Sequence, residues 1–183
     1  KYDADNGTMR DITTAKPYEF HFFNPKLGLT YKIDKKQDVY ASYSISNREP
    51  NRNNYTERAA TEAQPTFETL YDAEAGYRYQ SPEVSVGANL YFMNYKNQLI
   101  LTGKISEIGE LLTTNTPNSY RAGIELSAGV KITDWLKWDG NVSFSQNKIL
   151  NFTEEAVDMY DADWNWIGAQ DNNLGTTDIA YSP

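Results

Sequence analysis

Few residues in this 183-residue chain have the types and spacing that chemistry needs. His21 is the only histidine, so a Ser-His-Asp relay would depend on it, and no Gly-x-Ser-x-Gly elbow accompanies it. A strand-edge histidine accounts for it better. Asp161-Ala162-Asp163-Trp164-Asn165 opens with the acid spacing of a calcium loop. Trp166, however, stands where that loop needs its turn glycine, and Asn172 where it needs its bidentate glutamate. An acidic, solvated loop is the expectation. Asp72 with Glu74 and Glu154 with Glu155 are paired carboxylates that a charge ladder explains without acid–base catalysis. No glycine-rich phosphate cradle is present. Zero cysteines exclude a disulfide framework and any thiolate metal site. The chain is expected to be no enzyme and to use no metal or cofactor.

Two stretches suit recognition. Asn47 to Tyr55 sets Arg48, Arg52 and Tyr55 among amides, a donor-rich surface for anionic or hydroxyl-rich ligands. Tyr160 to Trp166 sets Trp164 and Trp166 beside acids, suited to stacking on a ring or sugar. A third set, Asp72, Glu74, Arg78, Arg121 and Glu125, recurs on one parity of two long segments. Its meaning depends on the elements that carry it.

Those elements are strands. From Tyr120 to Ile132, one parity holds Tyr120, Ala122, Ile124, Leu126, Ala128, Val130 and Ile132, and the other Arg121, Gly123, Glu125, Ser127, Gly129 and Lys131. A period of two means a strand with one apolar and one polar face. The pattern predicts strands over about 26–33 (extended upstream by Phe20, Phe22 and Phe23), 39–46, 71–79, 84–101, 110–132 and 136–145, with a last short strand ending at Tyr181. Asp34-Lys35-Lys36-Gln37, Gln80-Ser81-Pro82 and Thr133-Asp134 read as tight turns. Long polar loops are expected at about 47–66 and 151–175, and an excursion tip near Gly103 to Gly109. Residues 1–19 read as a polar extension or loop. No helical period of convincing length interrupts this order.

The alternation of short turns and long loops is that of an up-and-down transmembrane barrel. The predicted fold is therefore all-β, an antiparallel meander forming part of such a barrel. No run of about 18 apolar residues exists, so no transmembrane helix is expected. The low mean hydropathy of −0.69 does not oppose a barrel, since only alternate residues meet lipid. Tyr31, Tyr77, Tyr79, Trp135 and Trp138 cluster near strand ends like an interfacial aromatic girdle. A net charge of −8 disfavours nucleic acid as a partner. A soluble β-sandwich shares the period of two but would bury the apolar face.

Several segments resemble the barrel of TonB-dependent outer-membrane receptors. They are Asn24-Pro25-Lys26-Leu27-Gly28-Leu29-Thr30-Tyr31, Val39-Tyr40-Ala41-Ser42-Tyr43-Ser44 and Asn47-Arg48-Glu49-Pro50-Asn51-Arg52. Glu74-Ala75-Gly76-Tyr77-Arg78-Tyr79, Leu90-Tyr91-Phe92-Met93-Asn94-Tyr95 with Gln98-Leu99, and Asn118-Ser119-Tyr120-Arg121-Ala122-Gly123-Ile124-Glu125 continue the likeness. The resemblance runs from about Phe22 to Pro183. It implies a plugged 22-stranded barrel that imports scarce nutrients, energised by the TonB complex through a box near the N-terminus. Neither plug nor TonB box is seen here, nor a final aromatic strand. Residues 1–183 are thus expected to be a single segment of the barrel domain, six or seven strands, unable to transport alone.

The expected function is a share in importing a ferric siderophore or similar metal chelate across the outer membrane of a Gram-negative bacterium. A glycan or cobalamin importer of the same family, a small structural or adhesion barrel, and a soluble binding module are the alternatives. Expected partners are outer-membrane lipid, a small nutrient ligand, and the TonB complex only through the missing N-terminal region. Arg48, Arg52, Tyr55, Trp164 and Trp166 are the candidate ligand residues; Asp72, Glu74, Arg78, Arg121 and Glu125 are the candidate luminal or plug-facing ones.

Overall fold

The computed structural model describes residues 2–3, 8–9, 18–56, 64–105, 109 and 111–179. Two short strands, β1 (Tyr2–Asp3) and β2 (Thr8–Met9), pair with each other. The rest of residues 1–17 and the expected end of the last strand at Tyr181 lie outside the described residues. Seven strands form one antiparallel sheet in strict chain order: β3 (Lys26–Lys32), β4 (Gln37–Arg48), β5 (Glu68–Gln80), β6 (Val84–Ile105), β7 (Leu111–Lys131), β8 (Lys137–Tyr160) and β9 (Trp166–Asp178). A five-residue helix, α1 (Arg52–Thr56), follows β4. The sheet is a meander and does not close on itself.

Register carries the alternation across the whole sheet. Leu29 pairs with Ala41, Ala41 with Ala75, Ala75 with Leu90, Leu90 with Ile124, and Ile124 with Phe144. The neighbouring rung reads Tyr31, Val39, Tyr77, Ala88, Leu126, Val142. A one-residue slip in any pair would mix the two faces. The apolar face is a single uncovered surface: Leu29 is 73% exposed, Leu90 56% and Phe144 62%. A sandwich would have buried these side chains, so the soluble-sandwich alternative fails on the geometry.

The apolar rungs run from Val84–Val130–Trp138 up to Ile45–Tyr71 and Tyr120. Val130 and Tyr120 bound that stretch on β7, and ten steps at about 3.3 Å span roughly 33 Å along the strand. Tilted by about 40°, this stands about 25 Å tall, the height of a barrel's apolar band. Aromatic rings mark both rims. Tyr31, Tyr77, Tyr79 and Trp138 sit toward the tight turns, with Trp135 in one of them, and Tyr43, Tyr71, Phe92 and Tyr120 lie at the other end.

Above that band the environment changes and burial inverts. Among the described residues the buried hydrophobic side chains are Ile100, Ile149 and Ile179, with Phe152 packed on them, and all lie beyond the upper rim. Apolar groups there gain by packing together out of water. Glu68, 8% exposed, is held by Arg48 Nε at 2.8 Å and by the Leu99 N–H at 3.0 Å.

Three sequence expectations are corrected. The second long loop does not exist: β8 continues to Tyr160, and β9 returns from Trp166, around a turn at Asp161–Asn165. Backbone pairing does not require side-chain alternation, so it persists beyond the band while alternation fades. Asn151 in a left-handed conformation (φ 52°) and register shifts after Ile149 add bulges that blur the pattern further. Phe20, Phe22 and Phe23 do not extend the first strand. Phe20 and Phe22 pack their rings against Phe67 instead. The first polar loop contains α1, whose Asn54 Nδ2 donates to Thr113 Oγ1 on β7.

Candidate functional site

The polar face is built by the same register. Successive rungs read Asp72–Met93–Arg121–Asn147, Ser42–Glu74–Tyr91–Gly123–Ser145, Tyr40–Gly76–Asn89–Glu125–Ser143 and Asp38–Arg78–Gly87–Ser127–Asn141. All five candidate luminal residues therefore fall within four neighbouring rungs of one wall.

On that wall tyrosines lie across glycines. Tyr40 covers Gly76, where a Cβ would collide with its ring. Its hydroxyl donates to Asn89 Oδ1 at 2.9 Å, and the Arg78 guanidinium lies 4.9 Å above the ring. Tyr91 covers Gly123 in the same way: a Cβ there would meet its hydroxyl and the Phe144 carbonyl at 2.5 Å. Larger residues at either position would push a ring off the wall. A shallow concavity of about 390 Å³ opens over Glu74, Tyr91, Met93, Arg121 and Glu125.

Charge on the wall is divided by height. Toward the tight turns it neutralises itself: Arg78 pairs with Asp38 at 2.8 Å and Lys137 with Asp139 at 3.2 Å. Higher up, Asp72 Oδ1 and Arg121 Nε are buried without a hydrogen-bond partner, one strand either side of Met93. Arg121 lies 5.9 Å from the Tyr95 ring. Buried polar atoms left without partners in a wall of this kind ask for groups supplied from outside it.

The candidate ligand residues fall in two places. Arg48 ends β4 rather than lying in a loop, and its charge is spent on Glu68. Arg52 and Tyr55 lie on α1, where Tyr55 stacks on Tyr18 at 4.7 Å and its buried hydroxyl has no partner. Burial pushes the Tyr55 hydroxyl pKa up. Trp166 begins β9, and Trp164, 83% exposed, sits in the hairpin turn 6.2 Å from the Tyr160 ring.

That turn is fastened by one carboxylate. Asp161 Oδ1 accepts the N–H groups of Asp163 and Asn165 at 2.9 Å, and Oδ2 the Asn165 side-chain amide at 3.0 Å. The Asn165 side chain first, then its backbone N–H, stabilises the ionised form and holds the pKa below its ordinary 3.8. A depressed carboxylate pKa adds stability that is present above the unfolded value and lost as pH falls through the folded one. The tip should therefore keep its order at neutral pH and loosen only below about pH 4. Trp164 fluorescence against pH checks this, and Asp161→Asn should flatten the profile.

Sequence reasoning missed Asp38, Glu68, Tyr40 and Tyr91. Gly76 and Gly123 on the polar parity were the available signal. Which side chain would cover each depended on cross-strand register.

A one-layer sheet, apolar and uncovered over a membrane-sized band and charged on its reverse, is a piece of transmembrane β-barrel wall. The family described as TonB dependent receptor-like, beta-barrel matches residues 1–183, and the chain belongs to that family. Its fold is similar to that of the FrpB iron transporter from Neisseria meningitidis (TM-score 0.54, 17% identity, 69% of this chain and 20% of that one). It is also similar to the copper transporter OprC (TM-score 0.58, 16% identity, 68% and 20%). A third likeness is to the ferric-catecholate import receptor Fiu from K12 E. coli (TM-score 0.52, 20% identity, 72% and 19%). The chain spans about a fifth of the length of these structures. No curated protein matches it.

Proposed function

We propose that this chain is one segment of the barrel domain of an outer-membrane receptor that imports a metal chelate in a Gram-negative bacterium. The carrying observation is the pair of faces: an exposed apolar band about 25 Å tall, suited to hydrocarbon, backed by a polar wall suited to an aqueous or plugged lumen. In this reading Asp72, Glu74, Arg78, Arg121 and Glu125 face the lumen. Arg52, Tyr55, Trp164 and Trp166 stand on the ligand side, and Arg48 braces that end through Glu68. Energy would come from the TonB complex through a part of the receptor beyond this segment. Support for the cargo is narrower: iron, copper and ferric catecholate are what the names of the three similar structures record, and Arg52 offers a guanidinium for anionic ligand oxygens.

The test is uptake by a strain lacking the receptor. Radio-iron uptake from ferric chelates should fall on deletion and return on complementation, with the receptor in the outer-membrane fraction. Unchanged iron uptake together with lost growth on an oligosaccharide would overturn the metal-chelate reading in favour of glycan import.

A further inference from the structure

The outward parity of the sheet is apolar through the band and turns polar over two rungs at its upper end. These read Tyr71–Asn94–Tyr120–Lys148 and, one step further from the tight turns, Thr69–Lys96–Asn118. Ring contacts place them on the outward face. The Lys96 ammonium lies 5.6 Å from the centre of the Tyr71 ring, and the Tyr120 ring 6.1 Å from that of Phe92.

Height decides what Lys96 meets. Its rung stands two residues beyond that of Tyr120, about 6.6 Å along the strand and about 5 Å higher after tilt. A headgroup layer is about 5–7 Å deep on each side of the hydrocarbon. Lys96 therefore sits inside that layer, its stem laid along Tyr71 and its charge at headgroup level.

The two rims are not alike. At the tight-turn end the matching outward rungs read Gln37–Tyr79–Val86–Ala128–Gly140 and Val84–Val130–Trp138, without a charge. Lys35 and Lys36 lie there in a turn beyond the strands, where the Asp34 carboxylate accepts the Lys36 N–H. Aromatic rings at both rims suffice to anchor a barrel wall, so anchoring alone does not call for strand lysines at one rim only.

Charge and spacing point to the occupant. Among the described residues Lys96 has no carboxylate partner, whereas Lys148 pairs with Asp178 at 2.7 Å. Asn118 stands directly across from Lys96, and Lys148 lies diagonally beyond it, about 12 Å from Lys96 between Cα atoms. Two ammonium groups and an amide on one outward patch suit a phosphate whose acyl chains lie against the band below. A sugar headgroup would use the amide and the rings and leave the Lys96 charge unmatched.

We propose that Lys96, with Asn118 and Lys148, forms a site on the outer wall for a lipid bearing an anionic phosphate headgroup, in the leaflet away from the tight turns. This rests on the apolar band meeting hydrocarbon and not on which nutrient the receptor carries.

The experiment titrates the whole receptor, in an uncharged detergent, with diphosphoryl lipid A and counts bound lipids by native mass spectrometry. Digalactosyl diacylglycerol is the phosphate-free comparison and inorganic phosphate the soluble one. Lys96→Gln should weaken the tightest lipid A site about fivefold and Lys148→Gln about twofold, with Lys96→Arg close to the unsubstituted receptor. Lys137→Gln, on the polar face and paired with Asp139, should change nothing. Digalactosyl diacylglycerol binding should be indifferent to Lys96→Gln. Unchanged lipid A affinity in Lys96→Gln would overturn the proposal. So would an equal loss of digalactosyl diacylglycerol, which would make Lys96 a packing residue over Tyr71. Displacement of lipid A by inorganic phosphate would overturn it in favour of a soluble-anion site. A receptor that retains neither lipid would overturn it together with the membrane-wall reading.

Discussion

Ile124→Lys should cost the receptor about 2–4 kcal/mol of folding free energy in a bilayer, the range for a lysine at the midplane of a barrel's lipid face. Ile124 stands in the rung between Leu90 and Phe144, near the middle of the apolar band. An ammonium there has no carboxylate in the rungs beside it on its own face, and rims carrying Tyr120 and Trp138 lie several residues away in either direction. Ser143→Lys is the control. Ser143 is directly opposite Glu125 on the polar face, so a lysine gains an acid partner and should change stability by about 0.5 kcal/mol or less. Urea titration of both variants refolded into phospholipid vesicles reads the difference. Equal stability of the two would mean that the apolar face does not meet hydrocarbon.

The isolated 183-residue segment should not persist as a detergent-free monomer. Its sheet ends in β3 on one side and β9 on the other, and each edge offers unpaired backbone groups to another copy. One whole face is apolar besides: Leu27 is 68% exposed and Leu29 73%. Patches of that extent drive association in water. Light scattering of the purified segment should show large species without detergent and smaller ones with it. A monodisperse monomer at high concentration in plain buffer would contradict the barrel-wall architecture.

The two experiments probe different links of one chain of cause. The first asks whether the faces are sorted by solvent, and the second whether the sheet needs neighbours to be complete. The polar wall connects both to function. Tyr40 and Tyr91 fill the space over Gly76 and Gly123 along it, while the unpartnered atoms of Asp72 and Arg121 leave bonds to be made there.

What the sequence determined by itself was the sorting. Period-two alternation in the stretches of β3 to β8 that lie within the band, with aromatic residues at their ends, was enough to give strand existence, chain-order pairing, the barrel reading and the five residues of the polar wall. Lipid on one side and water on the other impose that pattern directly on residue order, so it can be read back. Tertiary structure decided the rest. It turned the expected loop after Asn151 into a paired hairpin, because backbone hydrogen bonding needs no side-chain alternation. It moved Arg48 from a loop to an ion pair with Glu68, a partner twenty residues on whose position follows only from β4–β5 register. It also laid the tyrosines over the glycines and put Trp164 in a glycine's conformation. Each of these depends on what stands across a strand or around a turn, and that information is not carried by the order of residues along one.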